Sequence, residues 1–78
     1  MIRPVKTQTF RKFLQHIGLV FVRIEGDHEI WDRPGVSLLR PVTFITNEKE
    51  VPPIHLKTNL KTIGMSLKDF YKLVQTLK

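Results

Sequence analysis

Two residues, Gly26-Asp27, do most to limit what this chain can fold into. They separate an apolar run, Leu19-Val20-Phe21-Val22-Arg23-Ile24, from a second strand-like stretch, His28-Glu29-Ile30-Trp31. Glycine in the first central position of a two-residue connection supports a tight antiparallel hairpin. Such a turn pairs Glu25 with His28, Ile24 with Glu29, Arg23 with Ile30 and Val22 with Trp31. Alternation then places Val20, Val22, Ile24 and Trp31 on one face, read as the core face. Arg23, Glu25, His28 and Asp32 fall on the open face, with Phe21 and Ile30 among them. A longer loop would shift the register and reverse the faces.

The flanks read as helices. Phe10, Phe13, Leu14 and Ile17 recur at i, i+3, i+4 and i+7, with Thr7 or Thr9 as cap and Gly18 as terminator. After Arg33-Pro34-Gly35, residues Val36 to Ile45 read as a third strand, which Pro41 confines to an edge or a bulge. Thr46 to Glu50 is a polar loop. Beyond Pro52-Pro53, Leu56, Leu60 and Ile63 form a helical stripe with Lys57 and Lys61 on another side, and Gly64 closes it. Ser66 and Asp69 open a last helix bearing Leu67, Phe70, Tyr71, Val74 and Leu77. The order α-β-β-β-α-α implies an α+β domain, a three-stranded antiparallel sheet covered on one face by helices.

Seventy-eight residues suffice for one domain with a small core. No cysteine is present, which excludes disulfide staples, thiolate zinc sites and a cysteine nucleophile. The N-terminus has no signal-peptide core, and no window approaches the roughly 18–20 apolar residues of a membrane span. A soluble, cytoplasmic protein is the expectation. The formal charge is +6 and uneven: residues 1–25 and 51–78 each carry five basic residues against one acid, whereas 26–50 hold three against five. Basic flanks suit a polyanion such as RNA, although many small soluble domains are basic.

One constellation resembles a known family. Phe10-x-x-Phe13-Leu14, Gly18, Val20-x-Val22-Arg23, Gly26-x-His28, Pro41, Pro52 and Leu60-x-x-Ile63-Gly64-Met65-Ser66 look like a HicA-type toxin, the small mRNA-cleaving partner of bacterial toxin–antitoxin modules. The likeness runs from about Phe10 to Val74, so residues 1–78 are read as one HicA-like domain with 66–77 as an additional C-terminal helix. It implies a double-stranded-RNA-binding-domain-like fold and an mRNA endonuclease that uses the hairpin histidine. It also implies a cognate HicB-type antitoxin that binds the basic face and occludes His28. The free chain would be a monomer, and the neutralised form a hetero-oligomer. Family members usually show Gly-Ser/Thr-His; here the middle residue is Asp27, which sets a carboxylate beside the histidine and repels phosphate locally. Aspartate is also a routine turn former.

His28 is the catalytic candidate, because RNA cleavage needs a proton removed from a hydroxyl and another given to a leaving oxygen, and imidazole does both near neutral pH. The competing reading is a solvent-exposed hairpin histidine. Glu29 points to the opposite face, and Glu25 across the turn either orients His28 or is simply solvated. Arg23 shares the open face and can stabilise charge on a phosphate. Lys57 and Lys61, one helical turn apart, either face a backbone phosphate together or form an ordinary solvated face. His16 suits a helix C-terminus. His55 is read chiefly as a helix-start residue that can touch RNA, and Trp31 as core rather than a base-stacking ring. No cofactor is expected. The three histidines share no short metal-ligand spacing, and no paired acidic metal site or Gly-rich phosphate loop appears, so the chemistry is read as metal-independent. The rival functions are a non-catalytic double-stranded-RNA-binding module and a protein-interaction domain.

Overall fold

In the computed structural model, which describes residues 3–35 and 40–77, the elements run β1 (Val5–Lys6), α1 (Thr7–His16), β2 (Val20–Glu25), β3 (His28–Asp32), β4 (Val42–Ile45), β5 (Glu50–Val51), α2 (Pro53–Ile63) and α3 (Leu67–Val74). Strands β2, β3 and β4 form the expected three-stranded antiparallel sheet, with β3 central. The α+β class therefore stands. The short ribbon β1–β5, with Val5 opposite Val51, was not anticipated. Two residues carry no periodicity to read.

That ribbon also changes how α1 starts. Lys6, not Thr7 or Thr9, is the N-cap, and it makes no side-chain capping bond. Thr7 is instead buried: its hydroxyl donates to the Glu48 carbonyl at 2.7 Å and its N–H to the Lys49 carbonyl at 2.9 Å. The segment leading into β5 does the capping. At the other end Gly18 adopts φ +92°, its N–H bonding the Gln15 carbonyl while Leu19 N–H reaches Leu14. This paired closure ends the helix and sets Leu19 into the core beside Leu14. Gly64 closes α2 in the same way, with Met65 N–H bonded to Leu60. Ser66 caps α3 as expected, accepting the Asp69 N–H at 3.1 Å. The helix stops at Val74 and leaves Leu77 outside it.

The third strand is shorter than expected. β4 begins at Val42, directly after Pro41, where a missing N–H breaks no ladder bond. Residues 36–39 of the expected strand lie outside the described residues. β4 pairs Val42 with Trp31, Thr43 with Ile30, Phe44 with Glu29 and Ile45 with His28. Trp31, Val42 and Phe44 therefore share one face, and onto it the helices pack Phe10, Phe13, Leu14, Leu56, Leu60 and Phe70. The rings interlock edge to face, Phe13 on Phe70 at 4.7 Å and Phe10 on Phe44 at 5.3 Å between centroids.

The hairpin holds the expected register only near its turn. Glu25 opposes His28, Ile24 opposes Glu29 and Arg23 opposes Ile30. A bulge at Val22 then shifts the pairing, so that Phe21, not Val22, opposes Trp31 and Val20 opposes Asp32. Phe21 and Val20 thus exchange faces relative to the expectation, and the Phe21 ring lies 6.0 Å from Trp31. Of the four residues expected on the core face of the hairpin only Trp31 is buried. Val20, Val22 and Ile24 are about half exposed because β2 is the outer strand and lies beyond the helical layer.

The opposite edge is closed. The Asn59 side chain of α2, itself buried, accepts from Thr43 N–H and donates to Thr43 C=O at 2.9 Å. One amide thereby does what a further strand would do, and it fixes α2 alongside β4.

Candidate active site

The site is set by two consecutive residues of β3 that point to opposite faces. Gly26 takes φ +63° and Asp27 keeps a negative φ, the pattern of a tight two-residue hairpin turn. The Asp27 carbonyl accepts the Thr46 N–H at 2.8 Å, which ties the turn to the end of β4. On the inner side, Glu29 is buried and receives Arg11 Nε at 3.0 Å, Thr46 Oγ1 at 2.6 Å and Trp31 Nε1 at 3.0 Å. Arg11 also donates to the Thr46 carbonyl. Burial works to raise the Glu29 pKa, but hydrogen bonds from Arg11, Thr46 and Trp31 and the Arg11 charge outweigh it, so the net direction is down. The Arg11 pKa moves up, chiefly through its hydrogen bond to Glu29 and against the cost of burial. This network locks α1, the turn and the end of β4 into one unit.

His28 faces outward on that support. Its side chain is 48% exposed, and Nδ1 lies 2.9 Å from the Asp27 carboxylate. The contact is an ion pair only when the imidazole is protonated, and it lies on the Nδ1 side of the ring, with Nε2 on the other side. The carboxylate nearest His28 is thus Asp27. Glu25, directly across the ladder, pairs with Arg23 at 2.7 Å instead.

His28 lines a cleft of about 160 Å³ with Thr43, Phe44, His55, Thr58 and Asn59. Thr58 also borders two neighbouring grooves, one holding Lys57 and Lys61 and the other Arg40 and Lys61. The cleft therefore opens onto the basic side of α2. Of the sequence-derived residues, His28, Lys57 and Lys61 are brought to this side. Arg23 shares the His28 face but stands on β2, opposite Ile30, with its charge engaged by Glu25. Trp31 is core and His16 is exposed on α1, away from these clefts. Arg40 joins this side without a sequence cue, and His55, whose sequence reading is chiefly that of a helix-start residue able to touch RNA, joins it too. For His55 the readable signal was its spacing: it precedes Thr58 and Asn59 by one helical turn, so it shares their side of α2.

Among the described residues no group of three or more His, Cys, Asp or Glu side chains gathers to hold a metal, and no helix is long and apolar enough to cross a membrane. What the cleft offers is proton transfer by imidazole beside cationic side chains. No curated protein and no solved structure matches the chain. The family described as the HicA toxin of bacterial toxin–antitoxin systems matches residues 7–65, from the start of α1 through the Gly64 cap of α2. α3, whose Phe70 completes the core, lies beyond the matched segment. With the match spanning the sheet, the hairpin histidine and the lysine-bearing helix, the chain belongs to the HicA toxin family.

Proposed function

We propose that this chain is a metal-independent endoribonuclease that cleaves mRNA in the cytoplasm with His28 as proton-transfer residue. A cognate HicB-type antitoxin neutralises it by covering the same face. The observation that carries the reading is His28 itself: half exposed, beside the Asp27 carboxylate, and set in a cleft that opens onto Lys57 and Lys61. An exposed histidine without a role need not line a cleft. Lys57 and Lys61 hold the phosphate backbone on α2. Arg23 binds on the β2 side once a phosphate competes with Glu25 for its guanidinium.

RNA cleavage by the purified chain and by His28→Ala tests this. Removing a general acid–base group costs about 10²–10⁴-fold in rate, and that loss should occur in a variant that stays folded. Undiminished cleavage by the folded, nuclease-free variant would remove His28 from the mechanism. If RNA is bound but never cut, the chain is a binding module instead. Binding of uncleavable RNA should weaken as salt rises, and charge reversal at Lys57 and Lys61 should flatten that dependence.

A further inference from the structure

The cleft that holds His28 is lined by a second imidazole. His28 enters from the sheet, at the first position of β3, and His55 from the first turn of α2, so the two rings belong to different walls of one cavity. Neither wall is loose. The turn before His28 is tied to β4 through Thr46, and α2 is bonded to β4 through Asn59 on Thr43. At about 160 Å³ the cleft is smaller than the ~300 Å³ lower end of drug-sized pockets. It suits a phosphodiester link rather than a whole folded ligand.

We propose that His28 and His55 act as a base–acid pair on a single RNA phosphodiester, with the neighbouring 2′-hydroxyl as nucleophile. The inference rests on the ribonuclease reading of His28 and adds a second catalytic residue and the class of product. His28 is assigned the base role on position: the Asp27 carboxylate lies on its Nδ1 side, so Nε2 is the nitrogen that accepts the proton. In-line displacement needs the other proton on the far side of the phosphorus, and His55, which lines the cleft from α2 and not from the sheet, supplies it. The step balances without a co-reactant. The 2′-oxygen bonds to phosphorus as its proton passes to His28 Nε2. The P–O5′ bond breaks, and the departing oxygen takes a proton from His55. The products are a 2′,3′-cyclic phosphate and a 5′-hydroxyl, and proton exchange with water resets both rings.

The test is leaving-group rescue. Two RNAs of the same sequence are compared, one normal and one with sulfur replacing the bridging 5′-oxygen at the cleavage site. Thiolate leaves without needing a proton, so the acid becomes dispensable on the second substrate while the base does not. His55→Ala and His55→Gln should be about 10²-fold slower than wild type on normal RNA and near wild type on the thio substrate. His28→Ala should be slow on both. Equal loss by the His55 variants on both substrates, or no loss on either, overturns the assignment of His55 as acid. A 3′-hydroxyl or a primary linear phosphate product overturns the 2′-hydroxyl route. If His28→Ala cuts normal RNA at the wild-type rate, or wild type cuts neither RNA, the ribonuclease reading itself fails and this proposal falls with it. His55 is exposed, so its variants should keep the fold; unchanged thermal melting confirms that.

Discussion

Two acid–base pairs sit almost side by side in this molecule and have opposite fates. Asp27–His28 lies outside, with both side chains about half or more exposed, while Arg11–Glu29 lies inside, with the Glu29 side chain 6% exposed. The inner carboxylate accepts from four donor groups of three residues, Arg11, Thr46 and Trp31; the outer histidine has only a carboxylate beside one ring nitrogen. A pair in solvent contributes little to stability because water and salt screen it. A buried, hydrogen-bonded pair is costly to break because its survivor is left unpaired. The difference teaches that adjacent residues of one strand can divide labour, one holding the turn and its neighbour free for chemistry.

The sharpest way to break this comparison is to remove one member of each pair. His28→Ala should take away about 10²–10⁴-fold of cleavage rate and leave the melting temperature almost unmoved. Glu29→Ala should do the reverse. It strands Arg11, Thr46 and Trp31, at a cost of about 2–4 kcal/mol given that Arg11 keeps some solvent. That corresponds to a fall in Tm of very roughly 10–25 °C for a domain this small. Cleavage measured well below the new Tm should persist. If Glu29→Ala melts like wild type, the network is not what holds the turn.

Acid should sharpen the contrast by a smaller amount. The folded Glu29 pKa is depressed, so its contribution is present above the unfolded value of about 4.3 and disappears as pH falls through the folded value. Thermal melts from neutral pH downward should show wild-type stability dropping below about pH 4.3 more steeply than that of Glu29→Gln, which cannot titrate there. Parallel curves would exclude Glu29 as a source of acid sensitivity.

The smallest effect belongs to Asp27. Asp27→Ser removes a negative charge from where a phosphate must approach, and it also frees the imidazole to turn. RNA affinity should rise by a few-fold while kcat falls by about tenfold or less, a split that steady-state kinetics separates. Stability should not change. If both affinity and kcat stay put, Asp27 does no more than shape the turn.

Much of this architecture was legible from local pattern. The Gly26-Asp27 turn, the pairing of Glu25 with His28, the outward placement of His28 and the Ser66 cap all follow from rules that act within a few residues. What was not legible depends on distant partners. Whether Val20, Val22 and Ile24 are covered depends on where the helical layer ends, and no window of their own sequence records that. The bulge at Val22 leaves no glycine or proline to mark it. Glu29, placed on the face opposite His28, gives no local sign of its partner Arg11, eighteen positions away. Asn59 likewise gives no local sign of its bonds to Thr43 of β4. In the cleft, the outward place of His28 follows from turn chemistry, whereas that of His55 depends on the packing of α2 against β4.

The two-residue length of the Gly26-Asp27 turn carries a consequence for what this chain can inherit. Surface loops commonly absorb the gain or loss of a codon at little thermodynamic cost. Here a one-codon change slides β3 by one place, and side-chain direction reverses with it. The imidazole would swing inward toward the Arg11 guanidinium, and the glutamate would move out into solvent. Fold and chemistry would fail together from a lesion that touches neither histidine nor arginine. Lineages of this protein should therefore tolerate changes of letter at the turn far better than changes of length.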